Sequence, residues 1–238
     1  MNYSFNSRVR YSETGEDGRL TLPGALNYFQ DCCTFQAESI GLGMEVLKAR
    51  DRAWFLSSWQ VIVDEYPAMG TEIKITTAPY DFKGFIGMRN FTIETADGRL
   101  LAWANSNWTN LIISKGIPAR LTPADTDNYV LSKKMEMDYA PRKISLPDDM
   151  ISQEPFQVQK HHLDTNHHVN NCQYVQMVMD YLPENYKIYQ MRAEYKQQAR
   201  LNDQICPGKA EADGVTKILL NDRNNKPYAV VEFMEKRK

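Results

Sequence analysis

The stretch KHHLDTNHHVNN, residues 160–171, contains all four histidines of this 238-residue chain. Within it, Asp164, Asn166 and His168 stand at alternate positions. In an extended segment alternate side chains point to the same side, so a carboxylate, a carboxamide and an imidazole would share one face. The apolar-periodic run that follows predicts a helix with Asn170 or Asn171 as its N-cap. The stretch therefore predicts a strand or loop that carries polar side chains to the beginning of a helix.

A longer helix is predicted in the first half of the chain. Apolar residues between Leu22 and Ile40 fall on one stripe, with Pro23 near its beginning and Gly41 after its end. This pattern is typical of a helix of roughly 18–20 residues. The segments that follow alternate in polarity and are rich in β-branched and aromatic residues, which favours strands. Ala96-Asp97-Gly98-Arg99 between two of them predicts a hairpin turn.

The same order of elements recurs in the second half. Arg19, before the first helix, corresponds to His168 at an offset of 149 positions. In the strand after the helix Ile73 corresponds to Ile205 at an offset of 132, and in the hairpin turn Gly98 corresponds to Asn225 at an offset of 127. Each half thus predicts one long helix enclosed by a curled antiparallel sheet. We predict an α+β fold, a double hotdog, in which residues 1–128 form the N-terminal repeat, 129–155 a linker and 156–238 the C-terminal repeat.

Composition and charge exclude several classes of protein. The chain is 42% hydrophobic and 24% charged, with a formal net charge of −2. No basic field favours nucleic acid, and no segment predicts a membrane span. The four cysteines lack CxxC spacing, which favours reduced thiols. We expect a soluble, cytoplasmic protein without a leader segment.

The second-half motif resembles that of a known family. Asp-x-Asn-x-His-Val-Asn-Asn-x-x-Tyr is complete from Asp164 to Tyr174, and resembles the plant-type acyl-acyl-carrier-protein thioesterases, of which this chain would be a bacterial member. Segments 61–67 and 104–108 of the first half are similar to the family too. One departure lies downstream, where Gln198 and Ala199 stand in place of the family's glutamate and cysteine. A cysteine nucleophile is therefore absent at that position, and an amide cannot serve there as a general base.

The polar side chains of the motif suit thioester hydrolysis. The reaction needs an activated water and a route for a proton to the leaving thiol. We predict that Asp164 activates the water as general base, or attacks directly. Asn166 would hold the water or the carbonyl, and His168 would orient the carboxylate or supply a proton. By its alignment with the family, Gln198 would position the attacking water.

The beginning of the second-half helix predicts an oxyanion hole. Free backbone N–H groups at Val169, Asn170 and Asn171 would hold the carbonyl oxygen as it gains charge. A metal site is not expected, because adjacent histidines in a strand point in opposite directions and no cysteine has zinc-finger spacing. No cofactor is expected either.

The first half lacks these groups. At the offset of 149 its corresponding residues are Gly15, Asp17 and Arg19, which predicts one active site per chain. The resemblance implies that the first half shapes an acyl-chain pocket instead. The residues predicted to line it are Trp54, Phe55, Met69 and Met88.

The function that these expectations favour is hydrolysis of fatty acyl-acyl carrier protein to free fatty acid and carrier protein. The partner would be an acyl carrier protein that bears a phosphopantetheine-linked acyl chain, and the enzyme would be a monomer or homodimer. Two alternatives stay open. The donor could be acyl-coenzyme A, or the chain could be a non-catalytic acyl-binding protein, which the replacements at Gln198 and Ala199 allow.

Overall fold

The computed structural model describes residues 2–236, and the chain divides into two compact units. The first unit contains the residues up to Ser57 together with Val61–Tyr139, and the second contains Ser58–Gln60 together with the residues from Ala140 onward. The helices are α1 (Leu22–Ser39), α2 (Met44–Ala49), α3 (Pro123–Thr126) and α4 (Asn171–Met179). Short 3-10 turns occupy Tyr11–Glu13 and Lys160–His162.

The first unit is a sheet with strand order β1-β3-β4-β5-β2, and β6 extends it beside β5. Its strands are β1 (Tyr3–Arg8), β2 (Arg52–Val63), β3 (Glu72–Lys83), β4 (Ile86–Thr95), β5 (Leu100–Ile112) and β6 (Ile117–Pro118). The pairs β1–β3, β3–β4 and β4–β5 are antiparallel, as the predicted hairpin at 96–99 requires.

Helix α1 packs its apolar stripe on this sheet, against β1, β3 and β4. Phe29 of α1 and Phe91 of β4 are both fully buried, and their ring centroids lie 5.2 Å apart. Burial of one such side chain contributes about 1.5–3 kcal/mol relative to its exposure to water. The helix begins where Thr21 accepts a hydrogen bond from the Gly24 N–H, with Pro23 in the first turn. The prediction of a helix of about 18 residues is therefore confirmed.

The second unit has the sheet order β9-β12-β11-β10-β7, with β8 paired to β10. Its strands are β7 (Ile151–Ser152), β8 (Phe156–Gln157), β9 (Ile188–Tyr195), β10 (Gln204–Ala212), β11 (Val215–Asn221) and β12 (Pro227–Glu235). Helix α4 buries Tyr174, Val175 and Val178 and packs on β12. At 9 residues it is half the length of α1, which has 18.

The internal repeat is present in the backbone. Leu163 forms an antiparallel bridge with Val169, as Thr14 does with Leu20, and the two bridges are separated by the offset of 149 positions. Further along, Gly70 and Asn202 both have positive φ, at 83° and 67°, at an offset of 132. Glycine and asparagine are the residues that adopt this conformation most readily, so both halves meet the same backbone requirement with different residues.

The predicted linker is held to the units by buried polar side chains. Asn90 Oδ1 of β4 accepts hydrogen bonds from the Met135 N–H at 3.1 Å and the Tyr139 hydroxyl at 3.0 Å. In the second unit, Glu194 Oε2 of β9 accepts one from the Ile144 N–H at 3.2 Å. Strand side chains thus supply the partners that a segment rich in Pro, Asp and Lys does not find within itself.

Candidate active site

Residues 163–169 form a closed turn rather than an extended segment. Between the bridged residues Leu163 and Val169, the Asp164 N–H donates to the His168 carbonyl at 2.8 Å. The His167 N–H donates back to the Asp164 carbonyl at 3.1 Å, and His167 has a φ of 61°. Of the two forms predicted for this segment, the structure has the loop, so strand alternation does not describe it. The turn itself fixes where the polar side chains lie.

Asp164 shapes this turn through its carboxylate. Its Oδ1 accepts hydrogen bonds from the backbone N–H groups of Asn166 at 2.7 Å and His168 at 3.3 Å. An aspartate that bonds the backbone two residues ahead is a common turn-forming arrangement. Its second oxygen, Oδ2, accepts no hydrogen bond from any residue in 2–236. One oxygen therefore orients the carboxylate, and the other remains available to a water or a substrate.

His168 is half-buried, and its Nδ1 atom is buried without a hydrogen-bond partner in the described part of the chain. Burial lowers the pKa of its imidazole below the ordinary value. The positive charge of Arg200 acts in the same direction, while the charge of Asp164 opposes both. A lowered pKa keeps the ring neutral near pH 7, with one nitrogen as donor and one as acceptor.

The side chain of Asn170 caps helix α4, as the sequence predicts for this position or the next. Its Oδ1 accepts a hydrogen bond from the Cys172 N–H at 2.8 Å. Such a cap satisfies one of the first backbone donors of the helix. The asparagine side chain is thus committed to the fold and is not free to bind a ligand through that oxygen.

Two of the three N–H groups predicted for an oxyanion hole are occupied. The Val169 N–H donates to the Ala199 carbonyl at 2.9 Å, and the Asn170 N–H donates to the His162 carbonyl at 2.9 Å. The Asn171 N–H has no hydrogen-bond partner within residues 2–236. Asn171 is therefore the position of the three that can offer a donor to a ligand in this conformation.

The Val169–Ala199 bond places the segment around Gln198 beside the turn. The hydroxyl of Tyr174, 2% exposed, accepts a hydrogen bond from the Ala199 N–H at 2.8 Å and fixes the same segment to α4. Tyr195, whose ring centroid lies 5.9 Å from that of Tyr174, donates its hydroxyl to the Asn171 carbonyl at 3.0 Å. The two tyrosines have positioning roles that sequence reasoning missed, although Tyr174 ends the motif. Gln198 itself is exposed.

The first half keeps the turn without the side chains predicted to react. The Gly15 N–H donates to the Arg19 carbonyl at 2.9 Å, as Asp164 does to His168. Asp17 Oδ1 accepts from the Arg19 N–H at 3.0 Å, and the Arg19 guanidinium donates to the Tyr66 carbonyl at 2.8 Å. No carboxylate stands at the position of Asp164 and no imidazole at that of His168.

The four predicted pocket residues do not share one face of the sheet. Trp54 and Gly87 lie close together: a Cβ on Gly87 would be 3.2 Å from the Trp54 ring. Phe55 follows Trp54 on β2, and successive strand residues point to opposite faces. Met88 likewise follows Gly87 and points to the other face, and Met69 is 54% exposed in the loop before β3.

Among residues 2–236, no three or more His, Cys, Asp or Glu side chains are grouped so that they could hold a metal ion. None of the helices described is both long and apolar enough to cross a membrane.

Two plant enzymes are similar in sequence. The chloroplastic palmitoyl-acyl carrier protein thioesterase of Arabidopsis thaliana is 23% identical over 215 residues, 81% of this chain and 51% of that protein. The dodecanoyl-[acyl-carrier-protein] hydrolase of Cinnamomum camphora is 25% identical over 239 residues, 89% of this chain and 62% of that protein. The chain spans about half the length of the first of these relatives.

Solved structures show the same fold. An acyl-ACP thioesterase from Bacteroides thetaiotaomicron superposes with a TM-score of 0.90 at 18% identity, over 99% of this chain and 98% of that one. The 12:0-ACP thioesterase from Umbellularia californica has a TM-score of 0.87 at 18% identity, over 100% and 98%. These matches confirm the predicted double hotdog.

Family models match both halves in chain order. The acyl-ACP thioesterase N-terminal domain matches residues 1–123, and the acyl-ACP thioesterase C-terminal domain matches residues 145–232. The first of these alone covers half of the chain, and the second contains the turn and α4. The predicted resemblance is confirmed, and the chain belongs to the acyl-ACP thioesterase family.

Proposed function

We propose that the chain hydrolyses the thioester of a fatty acyl group carried on acyl carrier protein, and releases free fatty acid and the carrier protein thiol. The observation that supports this most directly is the arrangement of Asp164. One carboxylate oxygen is fixed by two backbone N–H groups, and the other accepts no hydrogen bond from the described residues. A base held in one orientation with an unoccupied oxygen suits the activation of a water.

In the proposed reaction Asp164 Oδ2 removes a proton from a water while the water oxygen bonds to the thioester carbonyl carbon. The carbonyl oxygen gains negative charge and is stabilised by the Asn171 N–H at the N-terminus of α4. The C–S bond then breaks, and the proton passes from Asp164 to the leaving thiolate. Neutral His168 orients the reacting groups, since its pKa is lowered by burial and by Arg200.

The exposed amides of Asn166 and Gln198 position the water and the thioester in this proposal. Glutamine can hold a water by hydrogen bonds as glutamate does, although it cannot take up the proton. The N-terminal half supplies the acyl-chain pocket, with Trp54 as the predicted pocket residue that faces the helix side of its sheet.

The test is release of free thiol from dodecanoyl-acyl carrier protein and from dodecanoyl-coenzyme A by the wild type and by Asp164→Asn. Asparagine keeps an oxygen that can accept the two backbone bonds, so the turn is retained while the base is lost. Asp17→Asn is the matched control, since it makes the same change in the turn of the first half.

Release from the carrier protein that is lost in Asp164→Asn and kept in Asp17→Asn supports the proposal. Faster release of thiol from dodecanoyl-coenzyme A by the wild type would mean that the acyl donor is coenzyme A rather than the carrier protein. Binding of both thioesters without release of thiol would contradict hydrolysis, and would make the chain an acyl-binding protein.

A further inference from the structure

Arg89 of β4 carries a buried positive charge that has only neutral partners. The residue is 8% exposed, and its Nη1 donates to Gln36 Oε1 at 3.1 Å and Thr77 Oγ1 at 3.2 Å. Its guanidinium lies over the ring of Tyr129, 5.6 Å from the centroid. No carboxylate of residues 2–236 lies within 4.0 Å of it. Burial of a charge is unfavourable unless an opposite charge or a full set of hydrogen bonds compensates it.

A second unsatisfied group lies on the same face of the sheet. Arg89 points toward α1, because its partner Gln36 belongs to that helix. Ser106 of β5 is directly opposite Arg89, and the two-residue period of a strand puts Asn110 on the face of Ser106. Asn110 is 1% exposed, and both polar atoms of its amide are buried without a partner among the described residues. Asn110 lies four residues along β5 from Ser106, about 13 Å at the rise of a strand, so it is a separate amide, unpartnered within residues 2–236, on the helix-facing side.

A row of aromatic rings leads from Arg89 toward the surface. The ring of Tyr129 lies 5.5 Å from that of Phe82, and Phe82 lies 6.2 Å from Trp54. Phe82 and Trp54 are half-buried, whereas Tyr129 is buried. The absence of a side chain at Gly87 leaves room for both outer rings, since a Cβ there would lie 3.0 Å from Phe82 and 3.2 Å from Trp54. An apolar row that ends at a cation is complementary to an aliphatic chain that ends in an anion.

We propose that the helix-facing side of the first unit binds the carboxylate of an aliphatic chain at Arg89, with the chain along the three rings. The carboxylate supplies the negative charge that the protein does not. It has two possible sources, the far end of an ω-carboxyacyl thioester or a free fatty acid. The inference rests on the proposed function, because it assumes that the first half forms the acyl-chain pocket.

Binding is measured without turnover, on the Asp164→Asn variant, by calorimetric titration with dodecanedioic acid, dodecanoic acid and dodecanol at pH 7. A carboxylate bonded to a guanidinium should bind about 10- to 100-fold more tightly than the alcohol, the range for a charge-assisted hydrogen bond. Arg89→Met should remove that difference, because it keeps an apolar stem without the charge. Arg50→Met, at an exposed arginine, is the matched control and should leave it unchanged.

The source follows from comparison of the two acids. Equal affinity for both assigns the site to the free fatty acid. Two results together assign the site to the substrate. Dodecanedioic acid binds more tightly than dodecanoic acid, and the chain with Asp164 intact hydrolyses the ω-carboxyacyl thioester faster than the dodecanoyl thioester. Arg89→Lys should keep part of the preference, which covers the case in which Arg89→Met does not fold.

Equal affinity for acids and alcohol in the chain with Arg89 intact would overturn the inference, and so would a preference for acids that survives Arg89→Met. The two proposals fail separately. Carboxylate-dependent binding without hydrolysis of any thioester would reject the proposed function alone. Hydrolysis by a chain whose preference for acids over the alcohol is absent, or survives Arg89→Met, would reject this inference alone.

Discussion

The hydroxyl of Tyr174 accepts a hydrogen bond from the backbone N–H of Ala199 at 2.8 Å, and thereby ties α4 to the segment that carries Gln198. Ala199 is fully buried, so its N–H has no access to water if this partner is lost. Tyr174→Phe should therefore lower the free energy of unfolding by about 1–3 kcal/mol, the range for a buried donor without a partner. Urea denaturation measures it, with Tyr181→Phe as control. An unchanged midpoint would mean that the segment is held by other bonds.

Removal of the Asp164 side chain should act on both the turn and the reaction. Asp164→Ala loses the hydrogen bonds to the N–H groups of Asn166 and His168, and should lower the free energy of unfolding by about 1 kcal/mol. Turnover should fall by about two to four orders of magnitude if the carboxylate is the general base. Asp164→Asn should lose turnover to a similar extent while it keeps most of the stability. Substantial turnover in both variants would contradict the assignment of the base.

The pH dependence of stability should report on His168. Its pKa is lowered from the ordinary 6.5 in the folded chain, so the unfolded chain takes up a proton at higher pH than the folded chain does. The free energy of unfolding should therefore fall as the pH drops from about 6.5 through the folded-state pKa, and should not change through this group above 6.5.

His168→Gln should make that fall shallower in urea denaturation between pH 5 and 8, whereas His167→Asn, at an exposed residue with positive φ, should not. If the neutral imidazole is required for hydrolysis, kcat/KM should decline only on the acid side, below 6.5. A decline that begins well above that pH would assign the titration to another group.

The helix caps of the two repeats permit a paired comparison. Asn170→Ala and Thr21→Ala each remove a side-chain acceptor at the beginning of a helix, and each should lower the free energy of unfolding by about 0.5–2 kcal/mol. Turnover at equal folded concentration should decrease in Asn170→Ala alone, since α4 presents the Asn171 N–H. Equal losses of turnover in both variants would contradict a single site in the second half.

Gln198→Glu restores the residue type that the resemblance implies at this position. The side chain is exposed, so the change should leave the unfolding midpoint within error. Turnover should stay equal or increase if the residue positions the attacking water, because both side chains can accept a hydrogen bond from it. A large decrease, measured by thiol release beside Gln197→Glu as control, would show that the amide donor is needed.

The repeat was predictable because it depends on local requirements that the sequence records. Gly98 and Asn225 both have positive φ, 87° and 59°, at the predicted offset of 127 positions. The helix caps Thr21 and Asn170 are separated by the predicted offset of 149. The course of 163–169 was not predictable from alternation, because Asp164 bonds the backbone ahead of it and closes a turn. Side chains alternate between two faces only where the backbone is extended and paired with a neighbouring strand along its length.

The predicted pocket residues are a second case in which the sequence alone did not give the correct arrangement of side chains. Trp54 and Phe55 are both large and apolar, but neighbours on a strand face opposite sides, so composition alone does not assign both to one pocket. Arg89 is the converse case. An arginine in a strand is usually exposed, and its burial depends on Gln36 and Thr77, which are far from it in sequence.

The turn between Gly15 and Arg19 repeats the backbone of residues 164–168 without the side chains that we propose to react. Its backbone hydrogen bonds repeat those of Asp164 and His168 without a side chain at Gly15, so this course of the backbone forms without a carboxylate at that position. Gly15→Asp together with Arg19→His would place both groups into a backbone that already accepts them. The two halves thus share one backbone turn, and only the second carries the side chains to which we assign hydrolysis.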